Sequence, residues 1–185
     1  MDGTGLVVAV IVILLVLVLL AYIYNGLIRA RNRVENAWGQ VDVQLRRRYD
    51  LIPNLVETVK GYASHEKSTF EAVVEARAAS QSATTVEAQA QAENMLTGAL
   101  RQLFALAEAY PELKAATNFQ SLQQELSETE GKIAIARQIY NDATLTYNNA
   151  VQTVPTNIVA SLLGFRTKPY FEAAGDERSV PQVDF

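Results

Sequence analysis

The chain has 185 residues, which is enough for one domain and a membrane anchor, and its formal net charge is −4. Nearly half of the residues, 49%, are apolar, and they are concentrated at the N-terminus. The chain has no cysteine. This excludes disulfide bonds, a lipidated cysteine anchor and a thiol nucleophile, but it does not identify the compartment.

The first element is an apolar run without a charge from Gly3 to Ile28. Its core, Leu6 to Tyr24, corresponds to about 28 Å of helix, close to the ~30 Å hydrocarbon layer of a bilayer. A cleaved signal peptide has a basic segment, a shorter apolar core and a small-residue cleavage site. Only Asp2 is charged before this run. We therefore predict a retained transmembrane anchor over residues 1–28.

Basic residues follow the span and none precede it. The membrane-proximal residues Arg29, Arg31 and Arg33 can meet anionic lipid headgroups. By the positive-inside rule they predict an N-terminus outside and a soluble part in the cytoplasm. Because the span lacks a GxxxG pattern, self-association is expected to come from the soluble helices.

Beyond the span, apolar residues at helical spacing predict that the anchor helix continues to about residue 48. This stripe consists of Ala30, Val34, Ala37, Val41 and Leu45. Trp38 lies beside the stripe and is predicted to be half-buried. Asp50 and Pro53 then predict a kink or a restart, with Asp50 as N-cap, because proline lacks an amide donor and obstructs the preceding turn.

Three consecutive arginines at 46–48 form the densest charge in the chain. On a straight helix they would lie ~33 Å past Tyr24, several Debye lengths of about 8 Å from the membrane. Two alternatives follow. The arginines serve the bundle or a partner, or they form a solvated basic face with i,i+4 partners such as Asp42 and Asp50.

Two further helices are predicted before Pro111. The first runs from residue 50 to about residue 79, with an interruption near Tyr62. The second starts near Thr85 and ends at Pro111. Alternating Ala and Gln at residues 88–92 predict weak packing at the start of this second helix.

The clearest pattern lies in residues 119–154, where apolar and small residues alternate at three- and four-residue spacing, as in a coiled-coil or bundle seam. The seam consists of Phe119, Leu122, Leu126, Thr129, Ile133, Ala136, Tyr140, Ala143, Tyr147, Ala150 and Val154. Its small residues favour packing within the domain over a leucine-rich zipper. Pro155 ends this helix, and short turns lead to Gly164. The fold class is therefore all-α, with a helical bundle over residues 29–164 and a tail over residues 165–185.

Residues spread over nearly the whole chain resemble the LemA family. The matching residues of the junction are Arg31, Asn32, Ala37, Trp38, Asp42, Gln44, Arg47, Arg48, Asp50, Leu51, Ile52, Pro53, Asn54 and Leu55. Further matches are Ala76-Arg77-Ala78, Leu163-Gly164-Phe165, Tyr170-Phe171 and Val183-Asp184-Phe185. The resemblance implies a bacterial single-pass protein of the inner membrane with an antiparallel helical bundle. It also implies no established enzymatic activity and no catalytic residue.

No motif in the chain is typical of an enzyme. His65 is the only histidine, and residues 65–69 lack the second histidine of the zinc motif HExxH. Tyr62 stands where a Glu-x-x-His pair of a di-iron bundle needs a glutamate. A Ser-Lys dyad stays open, although no glycine elbow is visible. We predict no enzyme activity, no cofactor, no metal and no nucleic-acid partner.

Two functions remain as hypotheses. The first is a membrane-anchored scaffold that forms a homo-oligomer. The second is an adaptor for a membrane partner such as an HtpX-like metallopeptidase, which the resemblance suggests because family members are often encoded near envelope quality-control proteins. A scaffold predicts a defined homo-oligomer, whereas an adaptor predicts a monomer that co-purifies with its partner.

The C-terminal tail also has two interpretations. Its apolar residues Tyr170, Phe171, Val183 and Phe185 could fold back onto the bundle or a neighbouring subunit. Alternatively, Val183-Asp184-Phe185 could add as a strand to a partner's groove, as peptides do in PDZ domains. We favour the docked tail because large aromatic side chains are costly to leave in water.

Overall fold

The structure is a computed structural model that describes residues 3–172, and within that range it contains helices and no strand. The helices are α1 (Gly3–Lys60), α2 (Lys67–Ser82), α3 (Val86–Glu108), α4 (Pro111–Ala115), α5 (Thr117–Gln152) and α6 (Thr156–Leu162). The all-α fold with a long apolar N-terminal helix is therefore confirmed. The chain separates into two compact units. Unit 1 contains the residues up to Gly39 and Ile139–Lys168, and unit 2 contains Gln40–Gln138 and the residues from Pro169.

Helix α1 is a single helix of 58 residues. Among the described residues it is the one helix that is long and apolar enough to cross a membrane. The apolar side chains from Leu6 to Leu20 are exposed, as is required of a segment that faces lipid. The same helix then enters the protein core, where its stripe from Val34 to Leu45 is buried as predicted.

The predicted break at Pro53 is wrong, because α1 runs through it to Lys60 with Asp50 exposed inside the helix. Proline cannot donate to the carbonyl four residues earlier, which belongs to Tyr49. Arg77 of α2 fills this gap, since its Nε donates to the Tyr49 carbonyl oxygen at 2.8 Å. The chain turns later, between Lys60 and Lys67, close to the predicted interruption at Tyr62.

The core of unit 2 is built from apolar side chains of four helices. Its buried apolar side chains include Ile52, Leu55 and Val59 of α1, Phe70 and Val73 of α2, Leu96, Leu100 and Leu103 of α3, and Phe119, Leu126 and Ile133 of α5. Helix α3 begins where predicted, because the Thr85 hydroxyl caps it by accepting from the Ala88 amide at 3.1 Å. Pro111 follows the end of α3 and starts the short helix α4.

Unit 1 combines the early part of α1 with the end of α5 and with α6. Trp38 is half-buried as predicted, and its ring lies edge-on to that of Tyr140 with 5.2 Å between the ring centroids. The seam of α5 is buried or half-buried from Phe119 to Ala150. The prediction was wrong for its last residue, Val154, which is exposed because α5 ends at Gln152.

Candidate functional site

Unit 2 contains a buried polar cluster made by Arg48, Tyr49, Gln89, Glu93, Thr97 and Glu130. Arg48 is at its centre and is only 1% exposed. Its guanidinium donates to the Glu93 carboxylate at 2.9 Å and to the Thr97 hydroxyl at 2.9 Å. It also makes an ion pair with Glu130 at 2.6 Å. A fully buried charge is tolerated only when it is paired in this way.

The second half of the cluster surrounds the phenol of Tyr49. The Tyr49 hydroxyl donates to the Glu93 carboxylate and accepts from the Gln89 amide nitrogen at 2.8 Å. Gln89 also donates to the carbonyl of Ser80 at 3.1 Å. Burial, and then the hydrogen bond to Glu93, raise the pKa of Tyr49. The phenol therefore stays protonated and acts as a hydrogen-bond donor.

The cluster links α1 to α3 through the buried carboxylate of Glu93. Glu93 is 0% exposed, and its two carboxylate oxygens accept from Arg48, Tyr49 and Gln89. A cleft of about 420 Å³ reaches the edge of the cluster at Arg48 and Glu130. The hydrogen bonds from Arg48 and Tyr49 of α1 to Glu93 of α3 hold the two helices in a fixed register.

Sequence reasoning missed Gln89 and Glu93, and it wrongly predicted weak packing at residues 88–92, where Gln89, Ala90 and Ala92 are buried. A signal was present, because residues 89, 93, 96, 100 and 103 form one continuous helical stripe. Arg48 lies in the same way on the stripe from Val41 to Ile52. Opposite charges on two otherwise apolar stripes predict a buried ion pair.

The arginines at 46–48 divide between the two alternatives. Arg46 is exposed and pairs with Asp42 at 2.8 Å, as the solvated basic face predicts. Arg48 makes ion pairs with Glu93 and Glu130 within the bundle. Arg47 and Asp50 are both exposed, and within residues 3–172 neither side chain makes an ion pair or hydrogen bond.

The other residues of the junction motif lie in three environments. Buried ones are Ala37, Ile52 and Leu55; half-buried ones are Arg31, Trp38, Asp42, Gln44 and Leu51; exposed ones are Asn32, Arg47, Asp50, Pro53 and Asn54. The membrane-proximal Arg29 and Arg33 are exposed.

One side of α1 in unit 2 carries four exposed residues, namely Val43, Arg47, Asp50 and Asn54. We call these four residues the outer face of α1, because they lie opposite its buried stripe.

Unit 1 holds the start of the C-terminal segment against α5. The Asn148 side chain accepts from the Lys168 amide at 2.8 Å and donates to its carbonyl at 2.9 Å. The Tyr147 hydroxyl donates to the Arg166 carbonyl at 2.9 Å. Lys168 also pairs with Glu35 at 3.3 Å. Paired backbone groups of this kind fix the path of an otherwise extended segment.

The tail residues predicted as a docking or signal element are only partly described. In unit 2, Phe171 is buried, and the Arg137 guanidinium lies 4.4 Å from its ring centroid. Burial lowers the pKa of Arg137. Tyr170 is exposed. The docked alternative thus fits Phe171, whereas Val183 and Phe185 lie outside the described residues.

The candidate histidine of the sequence, His65, lies exposed in the turn between α1 and α2. Over residues 3–172, no group of three or more His, Cys, Asp or Glu side chains could hold a metal ion.

A family model described as the LemA family matches residues 37–185. The chain belongs to the LemA family. It is 27% identical over 159 residues to Protein LemA of Metamycoplasma hominis, with 83% of this chain and 71% of that protein covered. It is 26% identical over 207 residues to Magnetosome protein MamQ 2 of Paramagnetospirillum magneticum, with 96% of this chain and 76% of that protein covered. Magnetosome protein MamQ of Magnetospirillum gryphiswaldense is 25% identical over 189 residues, with 86% and 70% covered.

The LemA family match includes both the buried polar cluster and the outer face of α1, since it begins at Ala37. This places the two features within the part of the chain that is shared with the family model. It confirms the family predicted from the junction motif. Together with the MamQ relatives, the family indicates a membrane-associated helical protein.

Proposed function

We propose that this LemA-family protein is a non-enzymatic, single-pass membrane scaffold. The observation that carries the proposal is the continuity of α1, whose first part exposes apolar side chains and whose last part supplies the core of unit 2. One helix thus serves as anchor and as bundle element. A scaffold needs this mechanical link and no reactive group.

We propose that the scaffold self-associates through the outer face of α1. Val43 is 60% exposed there, and Arg47 and Asp50 carry opposite charges about one helical turn apart. A two-fold related pair of such helices places the Arg47 of each copy near the Asp50 of the other, because an isologous contact exchanges residues i and j. The face is therefore self-complementary.

Charge exchange on this face tests the proposal in full-length protein purified in mild detergent. Arg47→Asp and Asp50→Arg, each alone, should lower the mass measured by light scattering from that of an oligomer to that of a monomer. The double exchange should restore the oligomer. Lys132→Asp, an equal charge change at an exposed residue of α5, is the matched control. A monomeric wild type, or single variants that keep the oligomer mass, would contradict self-association through this face.

The adaptor hypothesis is the second candidate. It is supported by the polarity of the outer face, since Arg47, Asp50 and Asn54 surround a single valine, whereas permanent homodimer interfaces are more apolar. The partner would be another membrane protein such as a peptidase. In the same purification, the adaptor predicts a monomer with one co-purifying protein that Arg47→Asp removes.

We further propose that the bundle faces the cytoplasm of the inner membrane, because Arg29, Arg31 and Arg33 follow the span. A C-terminal reporter that fluoresces only in the cytoplasm should then be fluorescent. Activity of an alkaline phosphatase fused at the same position would reverse the assignment.

A further inference from the structure

Helix α6 is packed on the last turns of the apolar part of α1. Ile23 and Leu27 of α1 form a buried cluster with Val159 and Ala160 of α6, and Phe165 packs against it. Leu27 precedes Arg29, the first charged residue after the apolar run. The packing therefore holds α6 level with the end of the membrane-spanning stretch.

The opposite side of α6 is apolar and exposed. Ile158 and Leu162 are four residues apart and so share one side of the helix, and Leu162 is 79% exposed. Leu163 and Val154, which flank the helix, are also exposed. Four large apolar side chains on or beside a helix of 7 residues are costly to leave in water.

The sequence around α6 is free of charge. No charged residue occurs from Ala143 to Phe165, although Asp142 and Arg166 stand directly outside this range. Cations are present at the edge of α6, where a groove of about 510 Å³ is lined by Arg29 and Arg33 together with Pro155 and Thr156. Apolar side chains with cations beside them are the composition of helices that lie in the membrane interface.

We propose that α6 is a second membrane contact, with Ile158, Leu162 and Leu163 inserted among the lipids at the boundary between acyl chains and headgroups. The partner of this apolar surface is the bilayer, because α6 packs on Ile23 and Leu27, directly after the exposed apolar side chains of α1. The proposal rests on the proposed function in one respect, namely that α1 spans the membrane.

Single-cysteine labelling of full-length protein in liposomes tests this directly, since the natural chain has no cysteine. An environment-sensitive fluorophore is placed at Leu162→Cys, whose exposed side chain takes no part in the buried cluster. Two further labels calibrate the measurement. Leu15→Cys lies in the apolar run, and Asp142→Cys lies on the exposed side of α5. Quenching by lipids that carry a nitroxide near the headgroup or deep in the acyl chain reports the depth of each label.

The expected result is quenching of the Leu162 label by the shallow nitroxide, several-fold stronger than at Asp142, with the Leu15 label quenched by the deep nitroxide. A Leu162 label that behaves like the Asp142 label would overturn the inference. So would a Leu162 label with a blue-shifted emission that lipid nitroxides do not quench, because a protein surface would then cover α6. If the Leu15 label escapes quenching as well, the membrane anchor itself has failed.

Discussion

The hydrogen bond from Arg77 to the Tyr49 carbonyl explains how α1 passes Pro53, and it can be tested by removing both residues. In Arg77→Met the carbonyl loses its charged donor while Tyr49 stays buried. A buried acceptor left without a partner costs about 1–3 kcal/mol. In the Pro53→Ala background the amide of residue 53 donates to the same carbonyl. The Arg77→Met cost should therefore fall below ~1 kcal/mol, which is the usual net value of one hydrogen bond.

The measurement is a double-mutant cycle on the free energy of unfolding. Urea unfolding of the full-length protein in mild detergent, followed by circular dichroism, gives the four values. We expect a coupling of ~1–2 kcal/mol between the two positions, well above the 0.3–0.5 kcal/mol scatter of independent sites, which is roughly the limit of additivity. If Arg77→Met costs the same free energy with proline as with alanine at position 53, Arg77 does not compensate for the proline.

Three further predictions concern buried and half-buried residues. Arg48→Met should lower the free energy of unfolding by about 3–5 kcal/mol, because it leaves a buried carboxylate without its cation. Glu93→Gln should cost about 1–3 kcal/mol, because Arg48 keeps Glu130 as its partner. Equal costs in urea unfolding would contradict this asymmetry. Above the ordinary tyrosine pKa of about 10, the unfolded chain loses the Tyr49 proton that the folded chain retains. The free energy of unfolding should therefore fall as pH rises, and Tyr49→Phe should reduce that fall. The same dependence on pH in the variant would contradict this role of Tyr49. Trp38→Ala should cost ~2–4 kcal/mol, and an unchanged melting point would mean that this ring contributes no packing.

The apolar pattern predicted most of the fold. Stripes such as Val34 to Leu45 and Phe119 to Ile133 depend only on the repeat of the helix and on burial of apolar area, both of which are local in sequence. The N-cap at Thr85 is local in the same sense. For this reason the existence of the helices, the half-burial of Trp38 and the end of α3 could all be predicted.

The errors came from interactions between residues that are distant in sequence. Pro53 predicts a break from local rules alone, and only the donor at Arg77, 24 positions later in the chain, shows why the helix continues. In the same way, the helical stripe places Glu93 on the apolar side of α3, but it does not show which residue of another helix pairs with it. A buried charge is excluded unless a partner exists, and no local pattern identifies that partner.

The rotation of α1 links the buried polar cluster to the outer face. Arg48 can be buried only with its guanidinium directed at Glu93 and Glu130, so its position fixes which side of α1 faces the core of unit 2. Consecutive helical residues point about 100° apart, and residues 43, 47, 50 and 54 are therefore turned away from that core. The outer face is thus a consequence of the ion pair. Any contact that Arg47 and Asp50 make with another chain should depend on Arg48, although Arg48 is itself buried.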